Sequence, residues 1–215
     1  MTISLSIQSV SKSFSGKLAL HPVSFDVHEH EAIGIAGRNG SGKSTLVKII
    51  SGLLSADSGE VTLNINGDII EHDNYIRYIG FAAPYVNIYD EFTPRELLRI
   101  TAKLRNFEWS EDKTRHLMKG LGLQEHLGEI THGYSSGMMQ RMRLATALQH
   151  NPPLLILDEP TTNLDDDGIA IVRQIITEQQ KHGIIILASN NAMELGWCGK
   201  IINVEMGNRS EFKNE

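Results

Sequence analysis

The run Gly37-Arg38-Asn39-Gly40-Ser41-Gly42-Lys43-Ser44-Thr45 has the residue types and spacing to hold phosphate. It fits G-x-x-x-x-G-K-[ST], in which glycines let backbone N–H groups turn inward around phosphate oxygens. A helix opening at its end would face the same anions with its positive N-terminus. Lys43 would reach the β- and γ-phosphates of a nucleotide, and the Ser44 hydroxyl would ligate Mg²⁺. The nucleotide-binding expectation covers Gly37, Asn39, Gly40, Ser41, Gly42, Lys43, Ser44 and Thr45.

A second chemical cluster closes an apolar run, Leu154-Leu155-Ile156-Leu157-Asp158-Glu159. A buried strand ending in two acids delivers carboxylates to the carboxyl edge of a sheet, where a phosphate loop also opens. Asp158 would hold Mg²⁺, usually through water, and Glu159 would polarise an attacking water.

The elements that must position these groups can be read from periodicity. Alternation in Ile3-Leu5-Ile7 and in Val23-Phe25-Val27 predicts two half-buried antiparallel strands, divided by the turn Ser15-Gly16-Lys17. Ala32 to Ala36 predicts a fully buried parallel strand, and Ser44 to Leu54 a helix with Leu46, Ile49, Ile50 and Leu53 on its apolar face. Val61 to Gly67 alternates and closes with Asn-Gly, a hairpin signal. Residues 93–150 read as mostly helical, an inserted arm opened by Thr93-Pro94-Arg95-Glu96, a capping box with Pro at the first helical position. Buried strands return at Leu154–Leu157 and Ile184–Ala188 around a helix near Gly168 to Lys181. The tail from Lys200 to Phe212 reads as an edge hairpin turning at Gly207-Asn208. The expected fold is α/β: a P-loop NTPase core with a parallel sheet, an N-terminal antiparallel β subdomain and an inserted helical subdomain.

Between the two clusters lies Tyr134-Ser135-Ser136-Gly137-Met138-Met139-Gln140-Arg141, and after the acids comes Pro160-Thr161-Thr162-Asn163-Leu164-Asp165. In this order the motifs resemble the ATP-binding cassette (ABC) ATPase family, over essentially the whole chain. That family carries a Leu-Ser-Gly-Gly-Gln signature ahead of a helix; Ser135 and Gly137 match it, while Ser136 and Met138 depart. The resemblance implies one nucleotide-binding domain over residues 1–215, with ATP and Mg²⁺ as ligands. It implies two cassettes packed head to tail, Ser135 and the helix N-terminus after Gly137 capping the ATP on the partner's P-loop. A plain helix N-cap accounts for Ser135 equally well, since capping and phosphate binding share a geometry. Phe14 stands where the family places an aromatic on adenine.

Two positions depart from the family. Its usual glutamine is replaced by Pro84, which offers no side-chain oxygen, so the contact is missing or comes from a neighbour such as Asn87. Its usual histidine is replaced by Asn190, which can still donate an amide hydrogen bond to a γ-phosphate but carries no charge. Glu159, Lys43 and Asn190 are therefore the expected catalytic set, with Ser44 and Asp158 for the metal. The resemblance implies transport-coupled ATP hydrolysis, slower or under tighter partner control than in a fully matched cassette. A degenerate cassette that binds ATP with little turnover, and a soluble non-transport ATPase, are the alternatives.

Composition excludes little more. The chain has 215 residues, a net charge of −6 and one cysteine, Cys198, so there is no global basic field for nucleic acid and no internal disulfide. Neither a signal peptide nor a run of roughly 20 apolar residues is present, so a membrane role would pass through a separate transmembrane subunit. The expected location is the cytoplasm, peripheral at the inner face of the membrane. The resemblance places the meeting point with that subunit on the segment Tyr85 to Leu97, where Tyr85, Ile88, Tyr89 and Phe92 would suit a socket or, nearly as well, the core of the arm. His28, His30 and His132 lack partners at ligand spacing and read as solvated. The resemblance, with Tyr134 to Met138 as its signature, leans towards the short single-cassette type common in bacterial exporters of the ABC-2 kind.

Overall fold

A computed structural model describes residues 2–205 and the backbone of 209–212. Strands β1 (Ile3–Phe14) and β2 (Lys17–His28) pair antiparallel around the turn at Ser15-Gly16. β4 (Ser58–Ile65) pairs with the other edge of β1, and β5 (Asp68–Ile70) completes this small sheet in the order β2-β1-β4-β5. The β4–β5 turn uses Asn66 (φ 55°) and Gly67 (φ 93°), the paired left-handed conformations that favour Asn-Gly at a two-residue hairpin.

The second sheet is built from β3 (Ala32–Ala36), β6 (Ile79–Ala82), β7 (Leu154–Asp158), β8 (Ile184–Ser189), β9 (Lys200–Asn203) and β10 (Arg209–Phe212). Its order is β10-β9-β3-β8-β7-β6, parallel except for β10, which returns antiparallel along β9. The tail hairpin thus has its two strands, while its expected turn at Gly207-Asn208 lies outside the described residues.

The parallel strands divide their side chains between two cores. Ile33, Ile35, Leu154, Ile156, Ile184 and Ile186 face the small sheet and helix α1 (Lys43–Ile50). Leu155, Leu157, Ile185 and Leu187 face the opposite layer, which holds α2 (Pro94–Leu104), α3 (Glu111–Gly120), α4 (Ser136–Leu148) and α5 (Asp166–Gln179). Burial on both faces explains why these strands read as unbroken apolar runs. Each such Leu or Ile contributes about 1.5–3 kcal/mol of transfer free energy, so the strand ends that carry the chemistry rest on a rigid base.

Local signals place the helices. α2 opens with the capping box: Glu96 N–H donates to Thr93 Oγ1 at 3.2 Å, and Thr93 N–H donates to Glu96 Oε2 at 2.9 Å. α1 ends earlier than its periodicity predicts. The chain turns at Gly52 (φ 76°), the helix stops at Ile50, and Leu53 is 65% exposed rather than on the buried face. A left-handed glycine just past the last turn is the usual helix terminator, and it overrides the apolar spacing.

Candidate functional site

The carboxyl edge of the parallel sheet gathers the expected residues in strand order. β3 runs into the loop 37–42 and α1, the neighbouring β8 ends at Ser189 and leads to Asn190, and β7 ends at Asp158 before Glu159. β6 lies on the far side of β7 and leads to Pro84 and Tyr85. Phe14, Asn39, Gly40, Gly42, Lys43, Ser44, Thr45 and Glu159 line one cleft of about 400 Å³.

Gly42 immediately precedes α1 with φ 100°, and a Cβ there would meet the Ala19 carbonyl oxygen at 2.5 Å. Glycine is required on both counts, and its conformation turns the loop into the helix. Lys43 is buried, its Nζ donating to the Gly37 carbonyl at 2.7 Å and the Arg38 carbonyl at 3.3 Å, 3.9 Å from Glu159 Oε1. The ammonium is therefore folded over the loop that phosphate oxygens would fill. Asn39 Oδ1 accepts a 3.0 Å hydrogen bond from Asn190 Nδ2, so the asparagine at the family's histidine position is tied to the P-loop.

Glu159 has φ 47°, a left-handed conformation that is unusual for a residue with a Cβ. Its N–H donates to the Ala188 carbonyl at 2.8 Å, which anchors it to β8. Burial pushes its carboxyl pKa up, the neighbouring Glu194 and Asp158 charges add to the rise, and Lys43 and the Asn190 N–H oppose it. A raised carboxylate is a stronger base than a solvated one, which suits proton removal from water. Sequence reasoning missed Glu194: it is buried on the short helix α6 (Ala192–Leu195) and accepts hydrogen bonds from the N–H and Oγ1 of Thr161.

Asp158 is buried, and its Oδ1 has no protein partner. An orphaned carboxylate oxygen beside a phosphate loop and a serine hydroxyl fits Mg²⁺, a hard cation that takes oxygen ligands and keeps water. Its other oxygen, Oδ2, accepts a 2.8 Å hydrogen bond from the Tyr85 hydroxyl. The neighbour that reaches this site is thus Tyr85, whereas Asn87 is exposed and lines a separate groove.

Ser135 is the N-cap of α4, its Oγ accepting from Met138 N–H at 3.2 Å. The helix begins at Ser136, so Gly137 lies in its first turn rather than before it. A Cβ on Gly137 would sit 3.0 Å from the Asn163 carbonyl oxygen, which packs this helix start on the segment after the acids. Neither Ser135 nor Gly137 lines the cleft that holds Lys43 and Glu159. Within one chain the two sets remain apart.

A hydrogen-bonded chain links the segment after β6 to the segment after the acids. Arg143 Nε donates to the Val86 carbonyl at 2.8 Å, Arg143 Nη1 to Gln140 Oε1 at 3.2 Å, and Gln140 Nε2 to the Pro160 carbonyl at 3.0 Å. Gln140 is buried among the apolar positions of α4, and that break in the pattern was the available signal for it.

The sequence profile of the ABC transporter family matches residues 20–162. The ABC transporter ATP-binding protein YxlF of Bacillus subtilis (strain 168) is 35% identical over 188 residues, covering 86% of this chain and 62% of that protein. A solved ATP-binding subunit of an ABC transporter superposes with a TM-score of 0.83 at 26% identity, covering 97% of this chain and 90% of its own. The bacterial ABC transporter cassette MJ0796, solved as a dimer, gives a TM-score of 0.85 at 22% identity, with 98% and 99% coverage, a likeness of fold.

Proposed function

The chain belongs to the ABC transporter family, and from that premise we propose that it binds and hydrolyses ATP to drive transport through a separate transmembrane subunit. The observation that carries the reading is the convergence of Lys43, Ser44, Glu159 and Asn39 on one cleft, with Asp158 beside it. The phosphates would lie against the loop N–H groups and the start of α1, and Phe14, 48% exposed at the cleft, would stack on adenine. Ser44 and Asp158 would hold Mg²⁺, which neutralises charge on the phosphate oxygens. Glu159 takes a proton from water as the water oxygen bonds the γ-phosphorus. The bond to the bridging oxygen breaks at the same centre, releasing ADP and phosphate.

A second cassette accounts for the separation of Ser135 and Gly137 from the cleft. Two copies packed head to tail would bring each α4 N-terminus, with its unpaired N–H groups, onto the other's γ-phosphate. Domain limits of 1–215, with residues 93–150 as an arm carrying that helix start, belong to the same reading. Among the described residues no helix is long and apolar enough to cross a membrane. The chain spans 62% of the length of YxlF, so the whole transporter's activity and partners are part of this proposal.

The transmembrane subunit would dock from the cytoplasmic side on a groove of about 410 Å³ lined by Leu53, Ile76, Asn87, Ile88 and Tyr89. Leu53, Ile76 and Tyr89 are at least half exposed there. Of the expected socket, Tyr89 and Phe92 are exposed and Ile88 half-buried, while Tyr85 turns its hydroxyl into the nucleotide site. Steady-state phosphate release tests the enzyme reading. Glu159→Gln is expected to lower turnover on the order of 10²-fold or more, as loss of a general base does. Equal rates for the two proteins would make this a binding-only cassette.

A further inference from the structure

The family's glutamine contributes a side-chain oxygen after β6, and Pro84 cannot. The next residue can. The Tyr85 ring is held over the site from one side by Lys48, whose Nζ is 4.1 Å from the ring centroid, and from another by Phe81, with ring centroids 6.2 Å apart. Both contacts come from elements that frame the site, Lys48 from α1 and Phe81 from β6. The ring is 42% exposed, but its hydroxyl is turned inward, donating to Asp158 Oδ2 at 2.8 Å, and the Ser44 side chain lies near enough to act on the same hydroxyl. One oxygen therefore sits between the two groups expected to hold the metal, bonded to the first of them.

The direction of the Tyr85–Asp158 hydrogen bond decides what the oxygen has left to offer. A phenol has one proton and two lone pairs. The proton is given to Asp158, whose carboxylate accepts it, so the lone pairs are left for another partner. A cation-bound water beside an aspartate makes the same arrangement, donating outward to the carboxylate while its lone pair faces the ion. Neighbouring ligands of an octahedral Mg²⁺ shell stand about 3 Å apart, which is also hydrogen-bond distance, so oxygens that share a hydrogen bond are already spaced as ligands. Asp158 Oδ1, buried and without a protein partner, leaves a further oxygen for the same shell.

We propose that the Tyr85 hydroxyl replaces the missing glutamine oxygen, entering the shell of the divalent cation beside Ser44 while it donates to Asp158. The proposal rests on the nucleotide-site reading given above. It makes Tyr85 a metal ligand rather than part of the docking socket. The carbonyl of the next residue, Val86, accepts from Arg143, so the segment that carries this oxygen is also fastened to α4 and, through Gln140, to Pro160.

The test is a Mn²⁺ titration followed by electron paramagnetic resonance, with saturating ADP, on wild type and Tyr85→Phe. Fluorescent-ATP affinity in EDTA and the melting temperature are measured alongside. Phenylalanine keeps the ring over Lys48 and removes only the oxygen. The expected result is a Mn²⁺ affinity about tenfold weaker in Tyr85→Phe, with metal-free nucleotide affinity unchanged and a lower melting temperature only through the lost hydrogen bond to Asp158. Unchanged Mn²⁺ affinity, with or without a lower melting temperature, would reduce the hydroxyl to a structural contact and overturn the proposal. Tighter Mn²⁺ binding would also overturn it, because the hydroxyl would then be a plug that the ion must displace. If the wild type binds no nucleotide in EDTA or with Mn²⁺, the nucleotide-site reading fails and takes this proposal with it.

Discussion

The two strands that flank the acidic pair reach the same cleft by different means. β8 comes from the P-loop side, and Asn190 after it is tied to Asn39 of the loop. That flank combines a glycine-rich backbone and a buried lysine with an exposed asparagine pair. β6 comes from the arm side, and past its end a proline leaves the chain without the usual polar side chain. There a single long side chain, Tyr85, crosses to Asp158 from a segment that is itself exposed and held by Arg143. The first flank offers backbone N–H groups around one loop, while the second contributes one side-chain oxygen from a segment tied to α4 through Arg143.

The largest effect is expected from Asn190→Ala. It removes an amide from the P-loop side, and hydrogen bonds to charged groups are worth about 1.5–3 kcal/mol. Turnover should fall roughly 10- to 100-fold, with ATP affinity changed far less; a loss of affinity alone would show that Asn190 braces the P-loop instead of touching the reacting phosphate.

The arm side offers a test through stability. Arg105 Nη1 donates to the Ile76 and Ile79 carbonyls and lies 3.0 Å from His150 Nε2, joining the end of α2 to the start of β6. Burial and the Arg105 charge push the His150 pKa down to about 4. Between that value and the ordinary value of about 6.5, the unfolded chain binds a proton that the folded chain refuses. Stability should therefore decline as pH falls below about 6.5, by about 1 kcal/mol at pH 5.5. Urea melts across this range should show a shallower acid slope in His150→Gln; identical slopes would break the link between this joint and the pH response.

The smallest effect is expected at Glu194. Glu159 works ionised, so turnover falls as pH drops through its raised pKa, and the Glu194 charge contributes to that rise. Glu194→Gln keeps an acceptor for Thr161 but removes the charge, so the acid limb of the rate profile should move to lower pH. An unmoved limb would mean that burial and the Asp158 charge set the base without Glu194.

How much of this was legible in the sequence follows the same division. The P-loop and the acidic strand are contiguous motifs whose chemistry is written in adjacent residues, and the parallel strands declare themselves as apolar runs. The capping box at Thr93 is equally local. α1 is shorter than its spacing predicts, because Leu53 keeps the helical period while the left-handed turn at Gly52 ends the helix first. Tyr85 and Asp158 are 73 residues apart, and Asn39 and Asn190 are 151 apart. No spacing rule joins such pairs; only the strand order β3-β8-β7-β6 does. Glu194 gave no signal, because a lone acid on a four-residue helix reads as solvated until the fold buries it.

In the proposed mechanism an ATP-dependent pair of cassettes completes this site. Size-exclusion chromatography with light scattering on Glu159→Gln, with and without Mg²⁺-ATP, separates the paired from the single form. The expected result is a monomer without nucleotide and a dimer with Mg²⁺-ATP, returning to monomer when Ser135 is replaced by Arg at the expected interface. ATP that binds and leaves Glu159→Gln monomeric, while the wild type still hydrolyses it, would contradict the head-to-tail mechanism.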